Sequence, residues 1–190
     1  MLDLAPLTIN AWIWIFLFAF WFIASIFVYP IKVRETFFQR VQHVVPLYLG
    51  FYLIFSHRWW GPMHDKIYDN DAVRYGGDVL TAAGAAFAIW ARVTLGRYWS
   101  GIVTLKQGHK LIRTGPYRIA RHPLYTGFVL ASIGSAITAA RIDGYVGLLI
   151  IVLSLIFKLR REESFLTGEF GEEYHQFKRD VPAALIPLVY

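Results

Sequence analysis

From Ile9 to Tyr29 the chain runs for 21 residues without one charge. As a helix that run is about 31 Å long, enough to cross the hydrocarbon core of a bilayer. Few soluble folds can accommodate it, and the composition agrees: 56% of the 190 residues are hydrophobic and 17% aromatic, above the usage of soluble domains. No basic residue precedes the run and no small-residue cleavage site follows it, while Lys32 and Arg34 do. It is therefore expected to stay in the mature protein as a span rather than leave as a signal peptide.

Four more apolar stretches follow. Val41 to Trp60 is interrupted by Pro46 and Gly50 and ends at His57-Arg58-Trp59-Trp60, where paired tryptophans suit the headgroup level. Ala72 to Leu95 is the third, with Asp78 and Arg92 near its ends read as paired or snorkelling charges. Leu124 to Ala140 and Gly144 to Phe157 are short and separated only by Arg141-Ile142-Asp143, which predicts a tight helical hairpin. Small residues at four-residue spacing, Gly77, Thr81 and Ala85 in one helix and Gly127, Ala131 and Ser135 in another, predict close backbone approach. The expected architecture is all-α: a polytopic bundle of about five spans, the last two a short hairpin, with a cytoplasmic cap. Residues 1–95 form its N-terminal membrane part and residues 96–190 its functional part, with a short tail helix through Glu162 to Lys178.

Charge predicts the orientation. With the N-terminus outside, fifteen of the 19 Lys and Arg residues fall inside, and only Arg58, Lys66, Arg74 and Arg141 fall outside. The net charge of +6 thus records topology rather than nucleic-acid binding. The absence of cysteine excludes disulfides, thiolate metal sites, a cysteine nucleophile and a lipidated cysteine on these residues. His43, His57, His64 and His175 have no partners at ligand spacing, so no metal is expected. No phosphate-binding glycine loop with its lysine is present.

On the expected inner face, two segments meet. One runs from Gly108-His109-Lys110-Leu111-Ile112 through Gly115-Pro116-Tyr117 to Arg121-His122-Pro123-Leu124-Tyr125. The other runs from Arg160-Arg161-Glu162-Glu163 to Phe170-Gly171-Glu172-Glu173-Tyr174. The hairpin between them returns the second beside the first. Aromatic faces, imidazoles and carboxylates at a membrane border suit a cationic, adenine-bearing ligand: tyrosine attracts a sulfonium, and a carboxylate receives ribose hydroxyls or an ammonium group. Blander readings stand beside this one. His122 before proline could cap a helix, Tyr117 and Tyr125 could be belt aromatics, and Glu162 and Glu163 could be solvated charge.

This pattern, over about the last hundred residues, resembles the isoprenylcysteine carboxyl methyltransferase family and its phospholipid-methyltransferase relatives. The resemblance implies an integral membrane enzyme that binds S-adenosylmethionine through His109, Lys110, Leu111, Ile112, Tyr117, His122, Pro123, Leu124, Tyr125 and Glu162. It implies a lipophilic small molecule or lipidated substrate, with membrane lipid as the other partner. Where the family has arginine four residues before the glutamate, this chain has Lys158, which keeps the charge and loses the planar fork. Arg121 and Lys158 are expected to steer an anionic acceptor, with Glu163 as helper; an amine acceptor would need a base, for which Glu163 or His122 is placed. Two other functions compete. An NADPH-dependent sterol-reductase-like enzyme shares the Arg-His-Pro-x-Tyr-x-Gly turn and a Val181-Pro182 to Pro187 type of tail. A non-catalytic transport or assembly protein would carry charges within its spans, and the first, fourth and fifth runs hold none suited to an ion path.

Overall fold

The computed structural model describes residues 8–56, 61–108 and 110–185. Its helices are α1 (Ile9–Ser25), α2 (Phe37–Phe55), α3 (Asp71–Leu95), α4 (Pro123–Ala139), α5 (Ile142–Phe170) and α6 (Glu172–Asp180). A two-stranded antiparallel ribbon joins β1 (Ile31–Arg34) to β2 (Thr104–Lys106), so the fold is mostly helical but not all-α. The tryptophan pair at 59 and 60, His57, Arg58 and Pro187 lie outside the described residues.

The helices start where side chains can take up their free N–H groups. Thr8 accepts from Ala11, Asn70 accepts from Val73, and Thr36 with Gln39 closes a reciprocal capping box at α2. Proline 123 opens α4 at a position where no N–H is needed. Two expectations fail at the C-terminal end. The last hairpin's second helix is not short: α5 runs for 29 residues through Lys158 and Glu163, because leucine, lysine, arginine and glutamate all favour helix and nothing there breaks it. The tail helix consequently begins only at Glu172, after Gly171 takes φ 53 and turns the chain.

Among the described residues two segments are long and apolar enough to cross a membrane: Asp71–Tyr98, which is α3 with its terminal turn, and α5. Helices α1 and α4 are apolar but have 17 residues each. Large apolar side chains face outward, among them Trp12, Phe16 and Phe22 on α1 and Leu149 and Leu153 on α5, a surface that lipid solvates and water does not.

The small-residue stripes do bring helices together. A Cβ built on Gly84 of α3 would sit 2.4 Å from the Ala131 nitrogen of α4, and one on Gly50 of α2 would sit 2.6 Å from the Gly147 oxygen of α5. Thr81 adds a hydrogen bond from its hydroxyl to the Ala131 carbonyl at 3.2 Å. Arg92, buried, donates to the Gly96 and Ala24 carbonyls and so closes the ends of α3 and α1.

The connections gather in two sets. After α2, Lys66 bridges to Arg141 and Ile67 N–H donates to the Ala140 carbonyl, joining that loop to the α4–α5 turn. There Asp143 receives Arg141 at 3.0 Å and His64 at 2.7 Å, while Arg141 also donates to the Leu53, Ile54 and Ser56 carbonyls at the end of α2. In the other set β1 pairs with β2, and Lys32 of β1 reaches Glu169 of α5 at 2.7 Å.

Candidate active site

The end of α3, the 96–128 segment, α5 and α6 enclose a cavity of about 330 Å³. Successive turns of one α5 face supply Leu155, Lys158, Glu162 and Leu166 to it, the three- and four-residue spacing that keeps side chains on one side of a helix. Opposite them stand Tyr117, Arg121, His122, Leu124 and Tyr125, with Lys110, Leu111 and Ile112 completing that wall. Tyr117 arrives on a 3-10 turn, Gly115–Arg118. Gly115 takes φ 56 there, so that the turn presses against Thr94 of α3.

The centre of the site is one hydrogen bond and one stack. The Tyr125 hydroxyl donates to Glu162 Oε2 at 2.7 Å, and the His122 ring lies parallel to the Tyr125 ring with centroids 5.6 Å apart. His122 makes no capping bond to α4; its Nδ1 is 3.7 Å from Glu162 Oε2 and its Nε2 3.4 Å from Glu163 Oε1. Tyr117 and Tyr125 are buried rather than set in an outer belt. Burial, then the Glu162 charge, pushes the Tyr117 phenol well above its ordinary range, so it remains a neutral donor. Tyr174 of α6, also against the cavity, is shifted the same way by burial and by Glu163.

The expected site residues separate into two groups. Lys110, Leu111, Ile112, Tyr117, His122, Leu124, Tyr125, Glu162, Arg121 and Lys158 all border the one cavity. Pro123 is fully buried at the head of α4, and Glu163 faces an ion cluster with Arg121 at 2.8 Å and Lys178 at 3.2 Å. His109 lies outside the described residues. Arg121 is largely committed to the fold: besides Glu163 it donates to the Val181 and Pro182 carbonyls, at 2.8 and 2.5 Å. Its own backbone and that of His122 donate to Ala183 and Ala184, each at 2.9 Å. Lys158 differs. Its Nζ donates to the Gly101 carbonyl at 2.9 Å and stands 5.3 Å from the Tyr125 ring centroid, with no carboxylate at ion-pair distance among the described residues.

Tyr174, the end of the expected second segment, lines the cavity too; Tyr98, Trp99, Gly101 and Phe177 also line it, and the sequence pattern gave them no role. The Tyr98-Trp99-Ser100-Gly101 run was the available signal. Toward the bundle interior the lining turns apolar, through Phe18 and Trp21 of α1, Leu47 and Phe51 of α2, and Phe128. Trp21 and Phe128 meet edge to face at 5.2 Å.

Residues 79–168, from within α3 almost to the end of α5, match the isoprenylcysteine carboxyl methyltransferase family. The likeness covers just under half of the chain. The chain is 31% identical over 116 residues to a probable protein-S-isoprenylcysteine O-methyltransferase of Oryza sativa subsp. indica, covering 60% of this chain and 61% of the relative. It is 35% identical over 105 residues to the protein-S-isoprenylcysteine O-methyltransferase of Schizosaccharomyces pombe, covering 52% and 43%. A fainter likeness, 26% over 90 residues, covers 46% of this chain and 21% of a Delta(14)-sterol reductase of Methylotuvimicrobium alcaliphilum. The chain thus spans about three fifths of the first relative's length and less than half of the others'.

Proposed function

We propose that the protein is a membrane methyltransferase that uses S-adenosylmethionine to methylate the carboxylate of a lipophilic, isoprenylcysteine-type acceptor. The observation that carries this reading is a single cavity with two characters, polar and aromatic at one end and apolar at the other. The polar end fits the methyl donor by the chemistry of its groups. Tyr117 and Tyr125 present π faces to adenine or sulfonium, and Glu162, oriented by Tyr125, accepts from ribose hydroxyls or the ammonium group. When bound, S-adenosylmethionine supplies an activated methyl group whose transfer to a carboxylate neutralises opposite charges. The remaining work falls to alignment and exclusion of water.

Phe18, Trp21, Leu47, Phe51 and Phe128 suit an isoprenoid chain. Lys158, at the seam between the two ends, draws an anionic group toward the donor. A carboxylate is ionised at neutral pH and needs no base. Arg121 acts mainly by pinning the 181–184 segment over the His122 turn, with Glu163 holding Arg121. In this reading the chain crosses the membrane five times with its N-terminus outside. Residues 96–190 form the catalytic region on the cytoplasmic side, and residues 1–95 the scaffold. The two sets of connections and the fifteen-to-four charge bias support that orientation.

The test is calorimetry on folded, detergent-purified protein, followed by transfer of a labelled methyl group to a farnesylated cysteine. Micromolar binding of S-adenosylmethionine and a labelled, base-labile ester are expected. Folded protein that gives no heat with S-adenosylmethionine overturns the reading, and sterol-dependent oxidation of NADPH would replace it with the reductase one.

A further inference from the structure

The wall that holds Lys158 is itself held by a buried carboxylate with no part in the chemistry above. Glu35 lies between β1 and the Thr36 cap of α2, its side chain fully buried. It grips Val103 twice: its N–H donates to the Val103 carbonyl at 3.0 Å, and its Oε1 accepts from the Val103 N–H at 3.2 Å. Two residues earlier in the same strip, Gly101 gives its carbonyl to Lys158, and Gly101, Ile102 and Thr104 line the cavity.

That double grip engages only one carboxylate oxygen. Glu35 Oε2 makes no hydrogen bond among the described residues. Arg161 Nη1 is 3.7 Å from it, yet this guanidinium donates to the Gln39 carbonyl at 2.7 Å and Gln42 Oε1 at 3.1 Å. His43 Nε2 is 3.5 Å from Oε1, and neither ring nitrogen of His43 is hydrogen-bonded among the described residues. Those two groups stand beside the carboxylate without hydrogen-bonding it, and electrostatically Glu35 also acts on Lys158 and Tyr125, after Glu162. The charged and titratable groups around Lys158 are Glu162 and Arg161 on its own helix, Glu35 and His43 from the β1–α2 side, and Tyr125 from α4. Tyr48, Tyr98, Tyr117 and Tyr174, with Lys110, Arg121 and His122, stand around the same cavity. Of the two carboxylates, Glu162 is turned to the cavity and bonded by Tyr125, and Glu35 is the one outside it.

We infer that Glu35 is a positioning residue acting through Lys158: it fixes the strip that carries the Gly101 carbonyl and supplies the negative charge against which the Lys158 ammonium is held for an anionic acceptor. The inference rests on the proposed reading of Lys158 and adds a residue outside both the cavity and the family-matched segment. A merely structural role would need only the bond to Val103, which an amide oxygen also makes.

The experiment compares wild type, Glu35→Gln, Glu35→Ala and the double variant Glu35→Gln/Lys158→Arg. It measures kcat/KM for farnesylated cysteine from pH 6 to 10, together with KM for S-adenosylmethionine. In Glu35→Gln the alkaline fall in kcat/KM should move to lower pH by about half a unit or more, with KM for S-adenosylmethionine within about twofold of wild type. The double variant should lose that fall, because a guanidinium keeps its proton throughout the range. Glu35→Ala should also raise KM for the acceptor, since the strip itself is released. A Glu35→Gln profile that superimposes on wild type overturns the inference and leaves the proposed function standing. Wild-type protein that binds S-adenosylmethionine but methylates no farnesylated cysteine overturns the acceptor reading, and this inference with it.

Discussion

One methyl group, added at two places on α3, separates the demands of helix packing from those of the helix itself. At Gly84 the new Cβ would lie 2.4 Å from Ala131 N, 2.7 Å from Gly127 O and 2.9 Å from Ala131 Cα, all backbone atoms of α4. Ordinary contact begins at 3.4 Å, so the two helices must part by about 1 Å, and backbone cannot swing aside as a side chain can. Overpacking of this kind costs about 1–3 kcal/mol. At Gly76, two turns earlier in the same helix, nothing lies within 4 Å of the added atom. There Gly→Ala only reduces the freedom of the unfolded chain and stabilises by about 0.5–1 kcal/mol. The two substitutions should therefore act in opposite directions and differ by about 1.5–4 kcal/mol. Thermal unfolding of the detergent-solubilised variants, followed by tryptophan fluorescence, reads the difference. Gly84→Ala should lower Tm and weaken S-adenosylmethionine binding, because α4 carries the His122–Tyr125 turn at its head. If Gly84→Ala melts at or above wild type, the close-approach account of α3 and α4 is refuted.

Tyr125→Phe keeps the ring stacked on His122 and removes the hydroxyl that orients Glu162; it should weaken S-adenosylmethionine binding by about tenfold, or ~1.4 kcal/mol, and calorimetry showing equal affinity would detach Glu162 from that role. Alkaline titration makes a separate prediction. Tyr117 and Tyr174 are held protonated mainly by burial, and Tyr68 is pushed up to about 12 by burial and its bond to Tyr145. The folded state thus retains protons that unfolded tyrosines release near pH 10. Stability from this source is complete below pH 10 and declines as pH rises beyond it. Absorbance near 295 nm should show these phenols ionising together with unfolding, and their ionisation in still-folded protein would contradict the burial.

The chain announces its helices clearly because their causes are local. Apolar runs, Thr and Asn caps and Pro123 mark the starts of α1 to α4 within a few residues. The small-residue spacing foretells which faces meet. The far end of α5 was harder to read: hydropathy stops near Phe157, but helix propensity does not, and only Gly171 ends the run. The ribbon was invisible because Ile31–Arg34 and Thr104–Lys106 are too short to show an alternating pattern, and their partners are distant in sequence. At the site, the motif brought Tyr117, His122, Tyr125 and Glu162 to one cavity as expected. It could not say that Arg121 would be tied to backbone carbonyls of the tail, nor that Glu35 would fold behind Lys158, since both depend on tertiary contacts with no short-range trace.

The tail carbonyls at Val181 to Ala184 are the acceptors for Arg121 and for the backbone of the His122 turn. Translation delivers those carbonyls only after the turn they restrain and all of α4, α5 and α6 between them. A nascent chain can thus insert its helices while the imidazole and guanidinium are still unfastened. Ligand affinity should appear only once the Val181–Ala184 segment has been made and has docked on the turn.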